Sequence, residues 1–239
     1  MQVSTRAFVF SSVKYSEADL IVTCFTENYG LKSYLLRGIL KSKKGKLRTS
    51  MFQPLSLLFL EAYHKNKGTL ERISEARVHY PYISLQTQII KSSLLLFLSE
   101  ILKNSVKEEE ANPELFQFLE KSLLWLDQNE EVANFHLLFL LKLTNYLGFY
   151  PDFTDKMQSY FNLIEGNFQR NSTGQFCEMG EKIEVVKQLD TSSFNDLKNL
   201  KISKVTRLET LELILRYYQL HVQGYKSPKS LAVLTQLFH

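Results

Sequence analysis

The chain has 239 residues, of which 44% are hydrophobic and 13% aromatic, so it can bury a sizeable core and is not an intrinsically disordered protein. The first 80 residues hold 13 Lys and Arg against 6 Asp and Glu, whereas the remaining residues hold 16 against 19. This excess of positive charge predicts that the N-terminal third meets phosphates. The two cysteines, Cys24 and Cys177, are too few for a disulfide framework or a four-cysteine zinc site.

The first 80 residues read as strands and turns. Five segments rich in aliphatic and aromatic residues are predicted strands: Val3–Phe10, Leu20–Phe25, Leu31–Leu36, Leu55–Ala62 and Leu70–Val78. The longest connection joins the third strand to the fourth. Five short strands with this spacing predict a small closed barrel of the oligonucleotide-binding (OB) type, so residues 1–80 form a predicted OB-fold nucleic-acid-binding domain. The predicted fold class is α+β.

From residue 81 onward the apolar pattern becomes helical, which predicts an all-helical domain over residues 81–239. The predicted helices cover Ile83–Leu102, Pro113 to about Leu126 after a capping Asn112, Glu131 to Gly148, a segment starting at Asp190, Leu211–Leu220 behind a capping box at Thr206–Glu209, and Ser230–Phe238. A stretch at about 157–181 is rich in Asn, Ser, Thr and Gly with isolated aromatics. It predicts a small irregular or β-rich insert within the helical domain.

The connection between the third and fourth strands is a cationic loop, Arg37 to Arg48. It holds six cations, two glycines and no acid: its cations are Arg37, Lys41, Lys43, Lys44, Lys46 and Arg48. Such a loop repels itself unless a polyanion neutralises it, and nucleic acid is the first expectation. A solvated loop that only keeps the protein soluble is the alternative. The glycine spacing does not fit a P-loop, so nucleotide hydrolysis there is rejected.

Aromatic residues are interleaved with cations from Arg6 to Arg37, through the first three predicted strands. On a single-strand-binding barrel, exposed rings stack on bases while nearby cations follow the backbone. Arg6, Lys14 and Lys32 are therefore candidate DNA-binding residues together with the loop cations. Most of the rings are expected inside the core, with Tyr34 and Tyr15 the expected exceptions, and Tyr34 is counted among the candidate site residues.

Catalytic, membrane and secretion motifs are not found in the sequence. The five histidines lack metal-ligand spacing, and Glu17 and Asp19 are better explained by a solvated turn than by acid–base chemistry. We therefore expect no enzymatic activity. The apolar runs are too short to span a bilayer, and the first residues lack the apolar region of a secretion signal, which predicts a cytoplasmic protein.

Several short motifs together resemble the RecO family of bacterial DNA repair and recombination mediators. They run in order along nearly the whole chain: Thr5–Phe10, Tyr15–Val22, Phe25–Gly30, Arg37-Gly38 with its Lys/Ser train, Gln53–Leu55, Asn112–Phe116, Leu147–Pro151, Tyr217–His221 and Ser230–Leu234. The resemblance implies an OB barrel before a helical domain. It also implies binding of single- and double-stranded DNA, annealing of complementary strands, and cooperation with RecR in loading RecA onto strands coated by single-strand binding protein.

The resemblance also carries expectations for individual positions. The family's basic motif corresponds to Arg37, Lys41, Lys43, Lys44 and Lys46. Many relatives hold zinc through two Cys-x-x-Cys pairs in the insert, whereas this chain has only Cys177 there, so the module is degenerate and no cofactor is expected. The family's site for the acidic, hydrophobic C-terminal tail of single-strand binding protein lies in the helical domain.

These observations lead to one hypothesis and two alternatives. The hypothesis is a DNA-binding, strand-annealing recombination mediator associated with the nucleoid. The first alternative is an OB-fold protein that binds structured RNA, since 2′-hydroxyl contacts distinguish RNA from DNA. The second is a structural adaptor without annealing activity, in which the lysines only solubilise the protein.

Overall fold

A computed structural model describes residues 1–42, 47–65, 70–107 and 110–238 of the chain. Its N-terminal part is one antiparallel sheet in the order β3-β2-β1-β4-β5. The five strands are β1 Gln2–Lys14, β2 Leu20–Thr26, β3 Gly30–Leu36, β4 Leu57–Tyr63 and β5 Arg72–Val78. Leu35 N–H donates to Glu71 O at 3.0 Å and Glu71 N–H donates to Ser33 O at 2.8 Å, which joins the outer strands β3 and β5. The predicted five-stranded OB-type barrel and the α+β class are confirmed.

The long strand β1 holds the barrel together because it pairs with two neighbours. Its first half pairs with β4 and its second half with β2, and the register shifts between Val9 and Ser11. A bulge of this kind bends a strand, so one strand can serve both halves of a small barrel. Because successive side chains of a strand point to opposite faces, β1 contributes to two different cores. Ala7 and Val9 belong to the barrel interior, whereas Phe8 and Phe10 belong to the helical core.

The helical part contains six α-helices among the described residues. They are α1 Ile89–Ser105, α2 Pro113–Gln128, α3 Phe135–Tyr146, α4 Glu181–Thr191, α5 Lys204–His221 and α6 Leu231–Phe238. The predicted start of α2 is confirmed, since Asn112 Oδ1 accepts a hydrogen bond from Leu115 N–H at 3.0 Å. Gly148 follows α3 with a φ of 80°, as predicted for the residue that ends this helix.

Helix α1 begins six residues later than the sequence predicts. The backbone N–H groups of Ile83, Ser84 and Leu85 donate to the Asp127 carboxylate at 2.8 to 3.1 Å. The buried Lys91 ammonium donates to Ser84 Oγ at 2.7 Å. Because this carboxylate at the end of α2 binds three successive backbone donors, residues 83–88 form a tight connection instead of the first helical turns.

The predicted β-rich insert is confirmed as a three-stranded sheet in the order β7-β6-β8. Its strands are β6 Tyr160–Asn162, β7 Asn167–Gln169 and β8 Cys177–Glu178. Gly166, with a φ of 66°, lies so close to α5 that an added Cβ would be 2.5 Å from Tyr217 Oη. The prediction that helices resume only at Asp190 is wrong, because α4 starts directly after the insert.

The barrel and the helices share a continuous apolar contact. Phe8 and Phe25 are fully buried outside the barrel interior, with ring centroids 4.9 and 6.2 Å from the Phe116 ring of α2. The rings of β1 and β2 therefore dock the helical part. Among the described residues, no helix is long and apolar enough to cross a membrane.

Candidate nucleic-acid interface

The start of the cationic loop is fixed by the turn between β1 and β2. The Asp19 carboxylate accepts the Gly38 N–H at 2.8 Å, and Ala18 O accepts the Leu40 N–H at 3.0 Å. The Gly38 hydrogen bond, followed by that from Ser16, lowers the pKa of Asp19. Asp19 lies in a turn, as predicted from the sequence, and its carboxylate also positions the start of the cationic loop.

The loop cations that the structure describes are exposed. Arg37, Lys41 and Arg48 all face solvent, and Lys41 Nζ lies 3.4 Å from the exposed Glu17 carboxylate. An ion pair between two groups this exposed contributes little and does not prevent Lys41 from meeting a phosphate. The other predicted site residues of the loop, Lys43, Lys44 and Lys46, lie outside the described residues. Their contact with DNA stays a prediction.

A groove of about 910 Å³ opens beside this loop, between β3 and β5. Its lining includes Arg37 and also three residues that the sequence analysis missed, Tyr63, Lys65 and Arg72. All four side chains are exposed. Lys65 could have been predicted, because lysines 65 and 67 form a basic run at the β4–β5 turn. Tyr63 and Arg72 could not have been predicted from the sequence, because they become neighbours only through the pairing of β4 with β5.

Arg6 does not belong to this interface. Its guanidinium binds Glu27 through two hydrogen bonds, of 2.6 and 2.9 Å, and donates to Glu120 at 2.5 Å. It also lies over the Phe116 ring, with Cζ 5.1 Å from the centroid. Two carboxylates of the protein thus bind the Arg6 guanidinium, which was predicted from the sequence to contact DNA. We therefore leave Arg6 out of the candidate interface.

The expectation of an exposed Tyr34 is wrong. Tyr34 is 0% exposed inside the barrel, and its hydroxyl lies 2.9 Å from His64 Nε2. Burial raises its pKa well above the ordinary range. A ring in this position has no free face for a base. Tyr15, the other expected exception, is 63% exposed, which confirms that expectation.

The two remaining candidates are far apart in the barrel register. Lys14 is exposed at the end of β1, opposite Leu20 of β2. Lys32 is half-buried on β3, opposite the buried Cys24. Burial lowers the pKa of His64, and the charge of Lys32 adds to this effect. Lys14 is on the edge that carries the β1–β2 turn, close in sequence to Tyr15, whereas Lys32 lies at the opposite end of its strand from Arg37.

The insert does not fit a zinc ion. Its one thiol, Cys177 Sγ, lies 3.3 Å from Thr173 N and 3.2 Å from Thr173 Oγ1, with Gln169 Oε1 at 4.0 Å. Zinc in structural sites takes four ligands drawn mainly from Cys and His. The described residues contain no group of three or more His, Cys, Asp or Glu side chains that could hold a metal. Hydrogen bonds and the paired rings of Phe161 and Phe168, 5.0 Å apart, pack this sheet.

Comparison with known proteins gives two family matches that follow one another along the chain. Residues 1–82 match the family model described as Recombination protein O N terminal, and residues 86–231 match Recombination protein O C terminal. The chain is 44% identical to the DNA repair protein RecO of Christiangramia forsetii and 42% identical to that of Flavobacterium psychrophilum. It is 33% identical to DNA repair protein RecO of Bacteroides fragilis. Each alignment covers 100% of both proteins.

Proposed function

The chain belongs to the RecO family, and we propose that it is a DNA-binding mediator of recombinational DNA repair. In this proposal it binds single- and double-stranded DNA, anneals complementary strands and assists the loading of RecA. The observation that carries the proposal is the exposure of Arg37, Lys41 and Arg48 in the cationic loop, whose start Asp19 fixes beside an open groove on an OB barrel. The protein acts in the cytoplasm on the nucleoid, and no catalytic step is assigned to it.

Annealing requires only that two polyanions come together. Cations on the loop and the groove neutralise phosphates and release condensed counterions, which lowers the repulsion between complementary strands. Base pairing and stacking then supply the free energy of annealing. A fixed cationic surface is sufficient for this role, which needs neither a cofactor nor a reactive side chain.

The proposal is tested by the salt dependence of DNA binding. Replacing Lys41, Lys43, Lys44 and Lys46 by Ala removes up to four phosphate contacts, so the slope of log K against log salt should become flatter by up to roughly 3 to 4 for a duplex. The slope is measured by fluorescence anisotropy with a labelled oligonucleotide. The variant should also anneal complementary strands coated with single-strand binding protein more slowly than the wild type.

A matched control carries the same loss of charge on the helical part. Lys103, Lys121, Lys226 and Lys229 are exposed there, and their replacement by Ala should leave the slope unchanged. An unchanged slope in the loop variant would refute the assignment of the loop. Competition between DNA and RNA of the same sequence at fixed salt separates this function from the RNA-binding alternative. A wild-type protein that binds no oligonucleotide at low salt would favour the structural adaptor.

The proposed protein partners are RecR, RecA through RecR, and the acidic, hydrophobic tail of single-strand binding protein. A groove of about 720 Å³ in the helical part suits such a tail. Lys198 and Lys201 are exposed at its rim, and Leu237 and Phe238 supply apolar surface. Arg207 is fixed in the groove by Asn134 Oδ1, which accepts from its Nε at 2.9 Å. Glu130 and Glu131 also line the groove and limit its positive charge.

Charge reversal at this rim tests the docking of the tail. The variant with Lys198→Glu and Lys201→Glu should bind a synthetic peptide of the tail roughly tenfold more weakly, because two attractive contacts become repulsive. Isothermal titration calorimetry measures the affinity. The same reversal at Lys226 and Lys229, which are exposed outside this groove, is the control. Equal peptide affinity in both variants would exclude this groove as the docking site.

A further inference from the structure

The groove beside the cationic loop forms where the barrel seam opens. Strands β3 and β5 are joined at Glu71, whose backbone bonds to Ser33 and Leu35. Beyond this bridge the two strands separate. The space between them is lined by Leu36 and Ile39 on one side and Ile73 on the other, and all three are at most 5% exposed. The groove therefore has an apolar floor that belongs to the barrel core.

An exposed ring and an exposed guanidinium stand side by side on the rim of this groove. Tyr63 of β4 and Arg72 of β5 are direct partners in the antiparallel register, so their side chains share one face of the sheet. Tyr63 is 45% exposed although it carries a large apolar ring. Nothing in the barrel core requires this ring, because its strand neighbour Ala62 already fills the interior position.

The rim is cationic, and the acidic residue that lines the groove is directed inward. Arg37, Lys65 and Arg72 form no ion pair with any of the residues that the structure describes. Glu71 also lines the groove, but it is only 5% exposed, and its Oε2 accepts the Lys65 N–H at 2.8 Å. Its charge is thus directed towards the protein backbone. Three cations remain available on the rim for an anionic ligand.

Two connections of the barrel meet at this groove. Ser42 and Leu47, the described residues nearest to the centre of the cationic loop, both line it. Lys65 and Leu70, at the two sides of the β4–β5 turn, line it as well. A ligand held by the cationic loop therefore has a direct path into the groove.

We propose that this groove holds a segment of single-stranded DNA, with one base stacked on Tyr63 and adjacent phosphates bound by Arg37, Lys65 and Arg72. This inference rests on the proposed DNA-binding function and specifies how single strands are distinguished from duplex. A duplex keeps the faces of its bases stacked on one another and cannot offer one to Tyr63, whereas an unpaired strand can. The cationic loop contacts backbone phosphates, which both forms of DNA possess.

Three variants test the groove with two labelled probes, an oligothymidylate and a blunt-ended duplex of equal length without unpaired nucleotides. Tyr63→Leu should weaken binding of the single strand roughly 5- to 150-fold, the range for loss of one base–aromatic stack, and leave duplex binding unchanged. Tyr63→Phe, which keeps the ring, should restore the wild-type affinity. Arg72→Gln should flatten the salt slope for the single strand by about 0.7, the share of one phosphate contact.

Arg77→Gln is the matched control on the same strand. Arg77 is also exposed but lies 4.0 Å from both Glu61 and Glu75, outside the groove, and its replacement should leave the slope unchanged. Equal affinities of Tyr63→Leu and wild type for the single strand would overturn the inference. So would an equal loss for single strand and duplex. If the loop lysines still set the salt slope in either case, the proposed function survives and only the groove assignment fails.

Discussion

The Arg6 guanidinium joins three parts of the chain. It bridges Glu27, at the end of β2, and Glu120, in the middle of α2, while resting on the ring of Phe116. All three charged side chains are less than one third exposed. Removing the cation would leave two carboxylates partly buried without their partner, and this costs more than the net contribution of the pairs themselves.

We expect Arg6→Gln to lower the free energy of unfolding at neutral pH by about 2 kcal/mol, the range for charged hydrogen bonds at a partly buried site. The hydrogen bond from Arg6 is the main cause that lowers the pKa of Glu27 below its ordinary value of 4.5. A depressed carboxyl pKa stabilises the fold above the unfolded value and loses this effect as the pH falls through the folded value. The difference between wild type and variant should therefore shrink below about pH 4.5.

Urea denaturation of both proteins at neutral and acidic pH measures this difference. Arg77→Gln is the control, because Arg77 is 63% exposed and an exposed pair contributes at most about 1 kcal/mol. A difference between wild type and Arg6→Gln that stays constant across this pH range would show that the ion pair with Glu27 is not its source.

At the scale of elements, local patterns predicted the strands more reliably than the helix starts. Strand β2 was predicted over Leu20–Phe25 and is observed over Leu20–Thr26, so the prediction is one residue short at its end. Helix α5 was predicted to begin behind a capping box at Thr206. It is capped instead by Ser203, whose Oγ accepts the Thr206 N–H at 3.0 Å, and Glu209 is exposed one turn further on.

The starts of helices depend on contacts that the local sequence does not contain. The Asp127 carboxylate accepts a hydrogen bond from Ser84 N–H, 43 residues away in the sequence. The pattern of residues 83–102 alone does not predict this contact. The same limit applies to the candidate site. Lysines 41 to 46 are conspicuous in the sequence, whereas Tyr63 and Arg72 become one surface only when β4 pairs with β5. Tyr34 was expected to be exposed, but the pleat of β3 turns it inward.

At the scale of the whole molecule, the barrel and the helical part differ in net charge, but they share one apolar cluster. The barrel carries the excess of positive charge, while its outer rings Phe8, Phe10 and Phe25 belong to the same apolar cluster as the helices. In the proposed complex, DNA at the groove is attached to a body that is continuous with the helical part. Movement of the helical part, for example by a partner protein, is then expected to move the proposed DNA-binding surface with it.

This coupling predicts the behaviour of Phe116→Ala. Phe116 is fully buried between α2 and the rings of Phe8 and Phe25, so the substitution should cost about 3 to 5 kcal/mol. Because the lost contacts join the barrel to the helices, amide hydrogens of β1 and β2 should exchange faster in the variant, to a degree that loss of global stability alone does not explain.

Phe139→Ala provides the comparison that isolates the interface. Phe139 is also fully buried, but its ring packs on Phe118 and Phe135, at 5.2 and 5.7 Å within the helical part. Phe139→Ala should lower the free energy of unfolding by a similar amount, but the contacts that it removes all lie within the helical part. Hydrogen exchange of the β1 and β2 amides, measured at denaturant concentrations that equalise global stability, should then be faster in Phe116→Ala than in Phe139→Ala. Equal exchange in the two variants would mean that these rings fill space without coupling the barrel to the helices.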